Sequence, residues 1–168
     1  MPKLIVLFFG AENPAVTLAE AAAEGAKGVR FTEVDLRSGT PHQATEHRAK
    51  RLESPAQIRE YDGVVLACPV AGGIPSELSS LLDELERSSA GALSNTVFGV
   101  VGAEDTLLAT RVMRLGGILV SAPPGVVDPQ IRGLRLGTRV ATVAGWVRHA
   151  LSHEREHQHS HAHHEHEA

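Results

Sequence analysis

The chain has one cysteine, Cys68, so no internal disulfide can form, and a reducing, cytoplasmic setting is expected. Aromatic residues make up only 4% of the sequence, which removes the stacking surfaces that flavin and nucleic-acid sites often use. Neither sign of charge dominates. The net charge is −4, and the last sixteen residues carry four Glu and one Arg, leaving the body with 16 acidic and 15 basic groups. That balance excludes an electrostatic nucleic-acid binder and a basic membrane-surface patch. No run approaches the ~18–20 apolar residues of a membrane span, so no membrane insertion is expected. The apolar run Leu4–Phe9 is followed too soon by Glu12 and Pro14 to be the core of a secretion signal. No nucleophile, base and acid recur in an arrangement that suggests a hydrolase, and no catalytic residue can be named.

What the sequence does contain is alternation. Five short apolar runs, Leu4–Phe9, Val29–Val34, Val64–Cys68, Val97–Val101 and Ile118–Val120, have the length and character of strands, most of them buried on both faces of a parallel sheet. Between them the pattern predicts helices at Pro14–Ala26, Ser54–Tyr61, Pro75–Arg87, Thr106–Leu115 and Thr138–Leu151. Asn13 is a candidate N-cap before Pro14, and Leu78, Leu81, Leu82 and Leu85 form one apolar helix face. Leu36–Leu52 and Ala122–Gly137 read as long loops. Strands alternating with helices imply a doubly wound α/β sheet. Residues 1–152 are expected to form one domain, and residues 153–168 a histidine-rich tail, disordered beyond a helical extension.

Open α/β sheets bind ligands outside the carboxyl ends of their strands, where strand order reverses. The loops at that edge are Gly10–Asn13, Pro69–Ile74 and Gly102–Asp105. Cys68 reads as a buried structural thiol, Trp146 as core or interface packing, and Tyr61 and Asp62 as structural residues on the opposite rim.

The opening K-L-I-V-L-F-F, the Ala/Glu helix ending in E-G-A, and the stretch Y-D-G-V-V-L-A-C-P-V-A-G-G-I-P-S-E-L-S-S-L-L-D (Tyr61–Asp83) together resemble the flavodoxin-like proteins. The likeness is greatest to the WrbA-type NAD(P)H:quinone oxidoreductases and the NADPH-dependent FMN reductases, and it covers roughly residues 3–151. The resemblance implies a three-layer flavodoxin-like sandwich with a five-stranded parallel sheet in the order 2-1-3-4-5. It also implies an FMN cofactor, NAD(P)H and a quinone as partners, and a homo-oligomer. The positions that match the FMN-holding loops are Gly10, Ala11, Glu12, Asn13 and Ala15; Pro69, Val70, Ala71, Gly72 and Gly73; and Gly102 and Ala103. In the family the first loop is rich in Ser, Thr and Gly, and its amides and hydroxyls hold the phosphate at a helix N-terminus. Here it carries Glu12 and Pro14, the second loop lacks its aromatics, and the third brings Glu104 and Asp105. Two alternatives therefore stand beside the FMN oxidoreductase. One is a non-catalytic flavodoxin-like module without FMN. The other is a metal-handling protein.

The metal alternative rests on the tail. His149, His153 and His157 recur at spacings of four, one face of a helix, and His159, His161 and His163 follow. An i, i+4 histidine pair suits Zn²⁺ or Ni²⁺. The match of His153–His157 to H-E-x-x-H has little weight, because seven His and four Glu within sixteen residues produce such a match readily by chance.

Overall fold

The computed structural model describes residues 1–10, 13–40, 49–69, 73–88, 91–102 and 106–164, with the backbone alone described at Asn13, Thr106 and residues 155–164. Strand β1 (Lys3–Phe8) leads to α1 (Asn13–Lys27), β2 (Glu33–Ser38), the short β3 (Lys50–Arg51) and a 3-10 helix at Pro55–Glu60. Strand β4 (Gly63–Ala67), α2 (Ser76–Ser88), β5 (Val97–Val101), α3 (Thr106–Arg114), β6 (Ile118–Val120) and α4 (Pro129–His164) complete the chain. The sheet has six strands in the order β3-β2-β1-β4-β5-β6, all parallel. This is the expected flavodoxin-like order with a two-residue strand added at the edge beyond β2.

The sheet separates two apolar layers, and the period of two in each strand decides which residue enters which. Leu4, Val6 and Phe8 pack with Val65 and Ala67 under α1 and α4. Ile5, Leu7 and Phe9 pack with Val64, Leu66 and Cys68 under α2, α3 and the 3-10 helix. All these side chains are essentially inaccessible. Burying each large aliphatic or phenyl group contributes roughly 1.5–3 kcal/mol.

Three expectations need correction. The second strand does not occupy Val29–Val34. The amides of Gly28 and Val29 still donate to the carbonyls of Glu24 and Ala26, and Phe31 takes a left-handed φ of 60°. Extended chain therefore begins only at Glu33. Within β2, Val34 and Leu36 face the core while Glu33 and Asp35 stay exposed, so its first half is a half-buried strand rather than a continuous apolar run. The expected loop at Leu36–Leu52 contains the end of β2 and all of β3, where Arg37 pairs with Lys50 and Ser38 with Arg51. The last helix starts nine residues before Thr138: Asp128 Oδ1 accepts from the amides of Gln130 and Ile131 at 2.9 Å, an N-cap with Pro129 in the first turn. Trp146, expected in the core or at an interface, is 68% exposed and so is not part of the core.

Helix α4 lies against α1 unusually closely. Helices that meet through side chains stand about 8–10 Å apart. Here a Cβ on Gly137 would fall 1.9 Å from the carbonyl oxygen of Ala22, and one on Gly25 would fall 1.9 Å from that of Leu134. At Gly133 the distance to the Leu18 carbonyl would be 3.0 Å. Thr138 Oγ1 crosses the seam to donate to the Gly25 carbonyl at 2.9 Å. Farther along, Val140 and Ala144 lie under Gly63, and Arg148 reaches Asp62 at 2.8 Å. Helix α4 thus runs from the carboxyl edge of the sheet to its amino edge.

This contact predicts opposite effects for two glycines of one helix. Gly137→Ala is expected to cost about 2–3 kcal/mol through forced separation of α1 and α4. Gly145→Ala, whose nearest heavy atom outside its own neighbourhood is Pro2 Cγ at 4.0 Å, should gain about 0.5–1 kcal/mol from helix propensity. Thermal unfolding of both variants, measured side by side, checks the difference in sign; equal midpoints would contradict it.

Candidate functional site

The carboxyl edge of the sheet brings the three expected loops together through two glycines. Gly10 follows β1 with φ 106°, and a Cβ there would meet Pro69 Cγ at 2.7 Å. Gly102 follows β5 with φ 101°, and its Cβ would overlap the Cys68 carbonyl oxygen at 1.8 Å. Each position combines a left-handed backbone with a close approach, so only glycine fits. Beyond the strand ends the ladder continues: the Phe9 amide donates to the Ala67 carbonyl and the Cys68 amide to the Val101 carbonyl, both at 3.0 Å. The starts of the loops after β1, β4 and β5 therefore lie side by side.

The remaining expected site residues are distributed around this junction. Asn13 begins α1, and Ala15 is fully buried among the residues facing that helix. Gly73 has φ 77° and no atom within 4 Å of where a Cβ would stand, an open position just before α2. Ala11, Glu12, Val70, Ala71, Gly72 and Ala103 lie outside the described residues. The site's described framework is thus backbone and small side chains, with the first turn of α1 aimed at the loop junction. Four unsatisfied amides would begin an ordinary helix; Pro14 removes one of them. The positive end of the α1 dipole and the amides behind it suit an anionic group.

Cys68 belongs to the lower core layer rather than to an open cleft. It is fully buried, and burial pushes its thiol up to about 12. The thiolate is the nucleophilic form, so this sulfur is chemically quiet at neutral pH.

The opposite, amino edge is held by side chains. Asp62 Oδ2 accepts from the Lys3 amide and from Arg148, each at 2.8 Å. Tyr61 donates its hydroxyl to Asp35 Oδ2 at 2.6 Å, and Arg37 lies 3.6 Å from the same carboxylate. A shallow concavity of about 240 Å³ opens here between Lys3, Glu33, Asp35, Arg37, Glu60 and Tyr61. Partial burial, then the hydrogen bond to Asp35 and its negative charge, push the Tyr61 phenol up to about 12. No sequence signal points to the pairing of Tyr61 with Asp35, because Tyr61 closes the 3-10 helix before β4 while Asp35 is in β2 and carries no motif of its own. Between α2 and α3, Arg111 binds Asp83, Glu86 and Ser79 and fastens the two helices together.

Among the described residues no three histidine, cysteine or acidic side chains converge as a metal cage. His149 and His153 do meet, with their Nε2 atoms 3.1 Å apart. His157, His159, His161 and His163 continue along α4, whose backbone runs to His164. No helix among the described residues is long and apolar enough to cross a membrane.

Comparison with known proteins locates this architecture. Residues 6–118 match the family model of the NADPH-dependent FMN reductases. The chain is 29% identical over 148 residues to an NAD(P)H dehydrogenase (quinone) of Chromohalobacter salexigens, an alignment covering 73% of this chain and 72% of the relative. It is 28% identical over 145 residues to one of Paraburkholderia phymatum, with the same coverage. The fold is similar to that of the Streptococcus pneumoniae TIGR4 flavodoxin, with a TM-score of 0.60 at 15% identity over 83% of this chain and 98% of that one. It is also similar to an archaeal flavodoxin, with a TM-score of 0.59 at 14% identity over 85% and 99%.

Two titrations test the electrostatics. Cys68 should resist alkylation at pH 8 in the folded protein and react fully once the chain is unfolded; rapid labelling of the native state would contradict its burial. Tyr61 is the only tyrosine. Its phenol is raised from 10.0 to about 12 on folding, so the associated stability is complete below pH 10 and is lost as pH rises from 10 to 12. Tyrosinate absorbance should therefore appear near pH 12 and shift downward in Asp35→Asn.

Proposed function

The chain belongs to the NADPH-dependent FMN reductase family, and from that premise we propose that it is a flavodoxin-like FMN-binding oxidoreductase that takes hydride from NAD(P)H and passes electrons to a quinone or a flavin. The observation that carries the reading is the convergence of three loop starts at the carboxyl edge, held by Gly10 and Gly102 beside the N-terminus of α1. Sites of this kind bind an anionic nucleotide by main-chain amides, which need no cationic side chain. The donor set therefore fits the phosphate of FMN.

In this proposal the loop Gly10–Asn13 and the first turn of α1 hold the phosphate, while Pro69–Gly73 and Gly102–Ala103 flank the ring system. Bound FMN would supply the two-electron chemistry. The chain's own contribution is positional. Gly10 lets the first loop turn without a side chain between it and Pro69, and Gly102 lets the third loop rest on the β4 terminus. The buried, protonated Cys68 keeps a competing thiolate away from that edge. The proposal includes a cytoplasmic homo-oligomer, for which the exposed Val127, Ile131, Leu134 and Trp146 of the α4 segment offer apolar surface.

A second reading, loose collection of Zn²⁺ or Ni²⁺ by the histidine-rich end, is favoured by one observation. Helix α4 continues past the domain to His164, so His149, His153 and His157 follow one another at helical spacing.

The flavin reading is tested by titrating the protein into FMN while following flavin fluorescence, with NAD(P)H-dependent quinone reduction measured on the loaded protein. Quenching and turnover are expected. Absence of quenching at millimolar FMN would remove the redox function. Glu12 precedes α1 and places a carboxylate in the phosphate loop; repulsion at ~5 Å costs about 1–3 kcal/mol. Glu12→Gln should accordingly tighten FMN binding by about fivefold or more.

A further inference from the structure

We propose that His149 and His153 form a discrete two-imidazole site for a first-row divalent cation, separate from the flavin edge and adjacent to Trp146. The inference rests on the second reading above and deepens it, by assigning one built site within a segment otherwise rich in scattered histidines.

The geometry is specific. Two nitrogens bound to one metal at about 2.0–2.1 Å stand about 2.8–3.4 Å apart for bond angles between a right angle and the tetrahedral value. The His149 and His153 Nε2 atoms are 3.1 Å apart, their ring centroids 4.4 Å apart, and the ring planes turned by 87°. Both residues are on the solvent side of α4, so a hydrated cation can approach without moving the fold. In the metal-free arrangement one ring donates from Nε2 to the other. Binding requires each ring to be neutral with its proton on Nδ1; the cation then exchanges two bound waters for the two Nε2 nitrogens, with no change in charge on the protein. Neutral imidazole is a borderline donor that suits Ni²⁺ and Zn²⁺, whereas Mg²⁺ and Ca²⁺ prefer oxygen.

The neighbourhood favours occupancy. Arg148, the nearest cation in sequence, is drawn down to Asp62 at 2.8 Å, away from the imidazole pair. Trp146 is the only tryptophan of the chain, is 68% exposed, and lies one helical turn before His149. It is placed to report a paramagnetic cation at this pair by loss of its fluorescence. The flavin edge is remote. Helix α4 begins at the carboxyl edge with Pro129 and passes Asp62 on the amino edge at Arg148; the twenty residues from Pro129 to His149 span about 30 Å. The family match also ends at residue 118, before α4 begins. Occupation of the two sites should therefore be independent.

The test uses the full chain, Ni²⁺ as probe, and two readouts: total bound Ni²⁺ by equilibrium dialysis and Trp146 fluorescence. Saturable quenching is expected. Losing even a group behind a metal ligand costs about 10–100-fold in affinity, so His149→Ala and His153→Ala should each weaken the quenching transition by at least about tenfold. His159→Ala, well beyond the pair along the helix, should leave that transition in place, and the FMN titration should be unchanged in all variants. If Ni²⁺ is taken up but quenching is absent, or persists unaltered in both single variants, the pair is only a hydrogen-bonded contact and the site is refuted while loose collection by the tail survives. If dialysis finds no Ni²⁺ bound, both readings fall.

Discussion

The contact on which the rest of the molecule depends is the backbone-to-backbone seam between α1 and α4. Gly25, Gly133 and Gly137 remove the side chains that would hold the helices apart, and carbonyl oxygens of Ala22 and Leu134 occupy the space a methyl would need. Such contacts trade side-chain burial for close dispersion contact between main chains. The trade has a positional consequence. Helix α1 begins at the carboxyl edge, and its axis is fixed on one side by the sheet and on the other by α4. A shift of α4 would move the amides of the first turn of α1 away from the loop junction, so the last element of the chain positions a site built by the first.

The two edges of the sheet divide the work. At the carboxyl edge, Gly10, Pro69, Gly73 and Gly102 shape the main chain and carry no charge. At the amino edge, Asp62 binds the Lys3 amide and Arg148, and Tyr61 binds Asp35. Partly exposed ion pairs contribute little each. Their effect here is geometric, because they tie the entry of β1, the entry of β4 and the middle of α4 to one point. A backbone-built ligand edge needs this kind of rigidity elsewhere, since amides can be aimed only by fixing the elements that contain them.

Legibility in the sequence follows how local the deciding interaction is. The central strands are plain because Leu4–Phe9, Val64–Cys68 and Val97–Val101 are buried on both faces, and continuous apolar runs declare that. Helix α2 is plain because its four leucines share one face. The second strand is misplaced by its own pattern. Its signal, Val34 and Leu36 alternating with Glu33 and Asp35, is half as strong, and Val29, Arg30 and Phe31 imitate a strand while finishing a helix. The start of α4 is hidden even though Asp128-Pro129 is a cap signal, since Pro123, Pro124 and Gly125 just before it suggest a loop that continues. The loop positions at the carboxyl edge are legible as topology and by family resemblance; the pairing of Gly10 with Pro69 and of Gly102 with Cys68 is not.

From its residues alone, the chain established an α/β alternation and a parallel sheet, because periodicity and run length depend only on neighbours along the chain. Tertiary structure decided what no window of sequence contains. It showed that α1 and α4 meet at three glycines across more than a hundred residues, that Asp35 closes on Tyr61, that Trp146 faces solvent, and that two imidazoles of one helix turn their nitrogens toward each other. Each of these depends on where a side chain or its absence ends up in space, and that is settled only when both partners are packed.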